Sequence, residues 1–144
     1  MTRSIALVIL LALTACQSGG GTSVPGDSDD REPFAMIAPD EALEFTGTEP
    51  FWAGEVAGGM LTWKSPEDID GTVVAVKRFA GRGGLSFSGT LKGEALDMTV
   101  TPGTCSDGMS DREYPFVVTV QKGAEVLRGC AWSDRHPFAE LQSP

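Results

Sequence analysis

The residues best suited to chemistry crowd into one stretch, TPGTCSDGMSDREYPF, from Thr101 to Phe116. Asp107, Ser110 and Asp111 offer oxygen ligands and Gly108 permits a sharp turn, which is what a calcium loop requires. The spacing departs from an EF-hand loop, and no glutamate stands at its closing bidentate position. Asp-Gly and Ser-Asp pairs are equally the chemistry of turns, in which side-chain oxygens accept hydrogen bonds from nearby backbone N–H groups. The stretch therefore reads as a structured turn, and neither a metal nor another cofactor is assigned to it. A short echo adds a surface: SDREYPF at 110–116 recurs as SDRHPF at 133–138, and each follows a cysteine, Cys105 or Cys130. If those cysteines are joined, both Ser-Asp-Arg elements fall near one end of the fold. There they would pair Asp with Arg to order their loops, or offer arginines to a carboxylate or other polar partner. The candidate binding surface is Asp107, Asp111, Arg112, Tyr114, Asp134 and Arg135, together with Trp52 from the run FTGTEPFWAGEV.

Catalysis has weaker support. His136 is the only histidine, and a Ser-His-Asp arrangement would have to be assembled from Ser133 or Ser110 with Asp134, without a G-x-S-x-G elbow. With Met60, Met98, Met109 or an acid it could be imagined on copper or zinc, but Met98 alternates with Leu96 and Val100 and reads as core. No catalytic residue is assigned, and the chain is read as a non-enzyme; a hydrolase or metal-binding protein using His136 and nearby acids is the alternative. In Glu49-Pro50-Phe51-Trp52, one of the two adjacent aromatics must face away from the core if the run is extended. Trp63 and Trp132 also fall on strands, where tryptophans either line a cavity or seal the end of a small barrel.

The remaining cysteine explains the other two. Residues 1–15, MTRSIALVILLALTA, place Arg3 before an apolar run too short to cross a bilayer of roughly 30 Å, the order of an export signal. Leu13-Thr14-Ala15-Cys16 resembles the bacterial lipobox, which implies cleavage before Cys16 and its lipidation; several acyl chains anchor stably where one does not. Gln17 rather than Asp follows, which in enterobacterial sorting resembles an outer-membrane lipoprotein with its domain in the periplasm or at the cell surface. With Cys16 modified, Cys105 and Cys130 remain in an oxidising compartment and are expected to form a disulfide. Residues 16–42 are read as lipidated cysteine and tether, rich in Gly, Ser, Pro and Asp, although FAMIAPDEA within them could also pack as a leading segment. Residues 43–144 form a single domain. The formal charge of −9 argues against nucleic acid or an anionic lipid face as partner, and leaves cationic partners open.

The elements that must hold these residues have a period of two. In LSFSGTL, Leu85 and Phe87 alternate with Ser86 and Ser88; in LDMTVT, Leu96, Met98 and Val100 alternate with Asp97 and Thr99. ALEFTG, FWAGEV, MLTWKS, TVVAVKRFA, YPFVVTVQ and EVLRGCAW complete about eight strands, with turn signals at Gly58-Gly59, Pro66 to Gly71, Gly81 to Gly84, Gly93 and Gly123. This is an all-β pattern without helical periodicity: a small antiparallel barrel or a closed sandwich with one disulfide, since closure removes exposed edges.

GTEPFW, CSDGMSDREYPF and GCAW together resemble an uncharacterised family of proteobacterial envelope proteins and lipoproteins, a resemblance that implies location and carries no mechanism. A lipidated small barrel with one disulfide is also similar in architecture to the membrane-bound inhibitors of c-type lysozyme, which implies envelope protection as a further alternative function, although their inhibitory serine and lysine motifs are absent. The expectation is an outer-membrane lipoprotein, membrane-bound through its lipid, that binds an envelope protein or a small ligand.

Overall fold

Each alternating run of the sequence becomes a strand in the computed structural model, which describes residues 32–141. The signal segment, Cys16 and the tether as far as residue 31 lie outside the described residues. The strands are β1 (Leu43–Thr48), β2 (Phe51–Ala57), β3 (Met60–Ser65), β4 (Asp68–Ala80), β5 (Leu85–Leu91), β6 (Glu94–Cys105), β7 (Arg112–Lys122), β8 (Glu125–Trp132) and a two-residue β9 (Ala139–Glu140). Each of β1 to β7 pairs antiparallel with the next strand, and β8 returns to β1 through Glu44↔Trp132, Phe45↔Ala131 and Thr46↔Cys130. The all-β fold is thus a closed eight-stranded up-and-down barrel, and closure leaves none of those eight with an open edge.

Alternation decides what fills it. Phe45, Leu61, Leu96, Met98, Val100 and Phe116 point inward and are wholly buried, each stabilising the fold by about 1.5–3 kcal/mol in removing its side chain from water. Their neighbours Ser88, Asp97 and Thr99 face out. The sequence placed a turn from Pro66 to Gly71, but the turn is only Pro66–Glu67 and β4 already begins at Asp68. A register shift between Trp63 and Ser65 absorbs the extra residues. The Asp68 carboxylate accepts hydrogen bonds from the Gly71 N–H and the Thr72 hydroxyl, so residues typical of a turn serve a bulge instead.

The barrel has two different ends. One carries the tight turns that link β1 to β2, β3 to β4, β5 to β6 and β7 to β8. The other is covered by chain on either side of the strands. FAMIAPDEA packs there as a leading segment: Ile37 is 2% exposed within the core and Phe34 lies against it. The Phe34 N–H donates to the Gly81 carbonyl (2.7 Å), and Arg78 Nη2 donates to the Ile37 carbonyl (2.8 Å).

Candidate functional site: the bridge-held loop and the two barrel ends

The last inward-facing stretch of β8 explains why a crossing loop is needed. Gly129 sits where a Cβ would collide with the Thr46 carbonyl of β1 and the Trp52 indole, so only glycine lets β8 approach β1 at the closing seam. That seam has three residue pairs, against seven between β7 and β8. Cys130, the next residue, faces outward and is joined to Cys105, with Cα atoms 5.6 Å apart. The β6–β7 connection is thereby drawn across the outside of the seam, and the Thr48 hydroxyl on β1 donates to the Asp107 carbonyl (3.2 Å). The loop and the bridge fasten the seam from outside.

Asp107 organises the loop. Its Oδ1 accepts from the backbone N–H groups of Ser110 (2.8 Å) and Met109 (3.0 Å), and its Oδ2 from the hydroxyls of Ser110 (2.7 Å) and Tyr114 (3.0 Å). Those backbone donors, helped by the two hydroxyls, hold its carboxyl far below the ordinary carboxylate value despite partial burial. Tyr114 is buried outside the main core, against Trp132 and Phe138 with ring centroids 5.3 and 5.5 Å away. The Arg112 guanidinium lies over Phe138, 4.3 Å from its centroid. At the tip, Met109 is 69% exposed.

The chain that follows the second Ser-Asp-Arg element returns to the first, where β9 pairs with the start of β7 through Arg112↔Glu140 and Glu113↔Ala139. The arginines of the two elements part company. Arg112 rests on Phe138, whereas Arg135 reaches the leading segment, 3.1 Å from Asp40 and 3.8 Å from Glu41. Asp111 and Asp134 stay exposed. Glu41 is the residue that sequence reasoning missed: its side chain is 3% exposed, its Oε1 receives the Ser133 hydroxyl and lies 3.0 Å from His136 Nδ1, and its Oε2 accepts the Ala38 N–H. Burial raises the Glu41 carboxyl, but hydrogen bonds from Ser133, Ala38 and His136, with the imidazole charge, outweigh it and leave the carboxyl below its ordinary value. Little in the local sequence marks Glu41, because its side-chain partners Ser133 and His136 lie 92 and 95 residues away.

Serine, histidine and glutamate here do not form a nucleophile with its base. Ser133 is 1% exposed, its hydroxyl points to Glu41, and His136 turns the same nitrogen, Nδ1, toward both. A hydrolytic arrangement needs the imidazole between serine and acid, one nitrogen to each. The cluster instead clasps the leading segment to the 133–138 loop, with the His136 ring edge-on to Phe116 at 5.5 Å. Among the described residues, no group of three or more His, Cys, Asp or Glu is placed to hold a metal ion.

Trp52 lies apart from the rest of the sequence-derived surface. It faces the interior at the tight-turn end, 3% exposed, while Phe51 beside it is 54% exposed. A Cβ on Gly47 would strike the same indole as one on Gly129, so two glycines make its floor, and Trp63 stacks on its far side at 5.1 Å and 6°. The Trp52 Nε1–H has no acceptor among the described residues. Above this pair opens a mouth of about 320 Å³, rimmed by Glu67, Lys92, Glu94, Lys122 and Glu125. Lys122 Nζ lies 5.9 Å from the Trp63 ring and 3.2 Å from Glu125. Comparison of the chain with protein-family models, with curated proteins and with solved structures found no match.

Proposed function

We propose that this chain is an outer-membrane lipoprotein anchored through Cys16, and that its barrel is a non-enzymatic module presenting the bridge-held loop to another protein of the cell envelope. One observation carries the reading: residues 106–111 are fixed by the disulfide, by the Asp107 hydrogen bonds and by the Thr48 contact, yet their tip is an exposed methionine. Rigidity at an exposed apolar tip favours capture of a partner, because the entropy of ordering the loop is met in folding rather than on binding. A charge of −9 suits a cationic partner and a rate of association that falls with salt. A photo-reactive amino acid at Met109 in living cells is expected to give one dominant protein adduct, absent when the probe stands at Ser88 on the barrel wall. Met109→Glu should lower capture at least about tenfold, a loss of roughly 1.4 kcal/mol, while leaving thermal unfolding unchanged. Identical adducts from both positions would remove the loop as the docking element.

The mouth supports a second reading, a small ligand held over Trp52 and Trp63, because an aromatic floor beneath charged groups is the usual composition of a small-molecule site. Titration with N-acetylglucosamine oligomers while following tryptophan emission checks it; unchanged emission counts against a sugar at this mouth.

A further inference from the structure

Among the described residues, five of the nine large apolar side chains that stand exposed fall within one sector of the barrel wall, the outer face of β2 to β4: Phe51, Met60, Ile69, Val73 and Phe79. Ile69 is 76% and Phe79 67% exposed, and the antiparallel register sets Met60 beside Ala75 and Val73 beside Thr62. By contrast, the outward positions of β5 and β6 include Ser86, Ser88, Thr90, Asp97, Thr99 and Thr101, and Ala95 is the small apolar one among them. A barrel that spans a membrane carries an apolar belt all round; here there is one strip.

We infer that this strip rests on a lipid surface, with the barrel lying against the membrane that anchors it. The inference depends on the Cys16 anchor proposed above, and two observations choose lipid over another occupant. First, the charges at outward positions differ from those of the sector as a whole, in which Lys64, Lys77 and Arg78 stand against Glu55, Glu67, Asp68 and Asp70. Lys64 and Lys77 stand exposed on the sector itself, with Glu55 the outward acid on β2. Exposed apolar side chains flanked by lysines are the composition of surfaces that settle at headgroup depth. Acidity of the whole chain opposes an anionic surface, but at the outward positions of these strands two lysines stand against one glutamate. Second, the chain enters the fold beside the strip, since the Phe34 N–H bonds the Gly81 carbonyl two residues beyond Phe79. Residues 17–31 have a contour of at most about 50 Å, so the anchor keeps this face within reach of lipid at high effective concentration.

The full-length lipoprotein, reconstituted into vesicles of phosphatidylethanolamine and phosphatidylglycerol, carries a photo-reactive phenylalanine analogue at Val73, Phe79 or, as control, Asp97. Lipid adducts at least about fivefold more abundant from Val73 and Phe79 than from Asp97 are expected, and Lys64→Glu with Lys77→Glu should lower them without changing thermal unfolding. Equal lipid labelling at all three positions, or adducts from Val73 only to a second copy or to other protein, overturns the inference. The intact mass of the same sample reports acylation of Cys16 separately. Should Cys16 carry no lipid, the anchor fails as a reading, and flotation of that chain with the vesicles decides the face: flotation lost on Ile69→Glu supports it, and no flotation overturns it.

Discussion

At the scale of single residues, glycines and one carboxylate explain more than the charged side chains that drew attention first. Gly47 and Gly129 have no conspicuous chemistry, but together they leave room for the Trp52 indole, and Gly129 also lets Thr46 approach. Gly129→Ala places a methyl against backbone rather than against a flexible side chain, so relaxation is expensive. The expected loss is about 2–3 kcal/mol, the range of overpacked cores, read as a lower urea midpoint at constant slope. Gly83 meets nothing within 4 Å of an added Cβ and has no positive φ, so Gly83→Ala is the control and should leave the midpoint where it was. Equal behaviour of the two variants would mean that the seam yields where the packing says it cannot. Asp107 was legible as a turn residue because Asp-Gly announces itself locally, although its bond to Tyr114 was not.

Among the elements, the strands were readable because a half-buried strand writes its two environments into alternate residues, as LSFSGTL and LDMTVT do. Closure was foreseeable as a class, since eight short strands with brief links have few ways to protect their edges, but barrel and sandwich were not separable. What separates them is the β8–β1 pairing, fixed by Gly129 and by partners about 85 residues apart. The start of β4 was hidden because Asp68 and Gly71 serve a bulge as well as they serve a turn. The Cys105–Cys130 bridge closes a separation of 25 residues, for which the loop-entropy relation gives roughly 3–4 kcal/mol. Replacing both cysteines by alanine should lower stability by about that amount and raise hydrogen exchange across 103–111, while β5 keeps its protection until global unfolding. A bridge that only decorated the surface would leave both the unfolding midpoint and the loop's exchange unaltered.

For the molecule as a whole, the two segments that flank the barrel strands behave as one device. Residues 34–41 and 133–138 come from opposite ends of the described chain and meet at Glu41, with Arg135 bridging to Asp40 as a second, exposed tie. The barrel closes on itself without them, so the clasp is expected to open below the free energy of global unfolding, as a separate cooperative unit. Acid should open it. The Glu41 carboxyl is held below its ordinary value of 4.5 in the fold; its contribution is therefore complete above about 4.5 and is lost as pH falls through the lower folded value. Asp107 titrates in the same direction but belongs to the loop outside the seam, so a Glu41 variant separates the two. Protection factors for the amides of Ser133 and His136, which bond each other's carbonyls, should fall between pH 5 and pH 3 together with that of Phe34, ahead of β5 and β6. Glu41→Gln should lower all three at pH 5 and flatten their pH dependence. If Ser133 and His136 keep their protection in Glu41→Gln while Phe34 loses its own, the segments open independently and the clasp is two contacts rather than one.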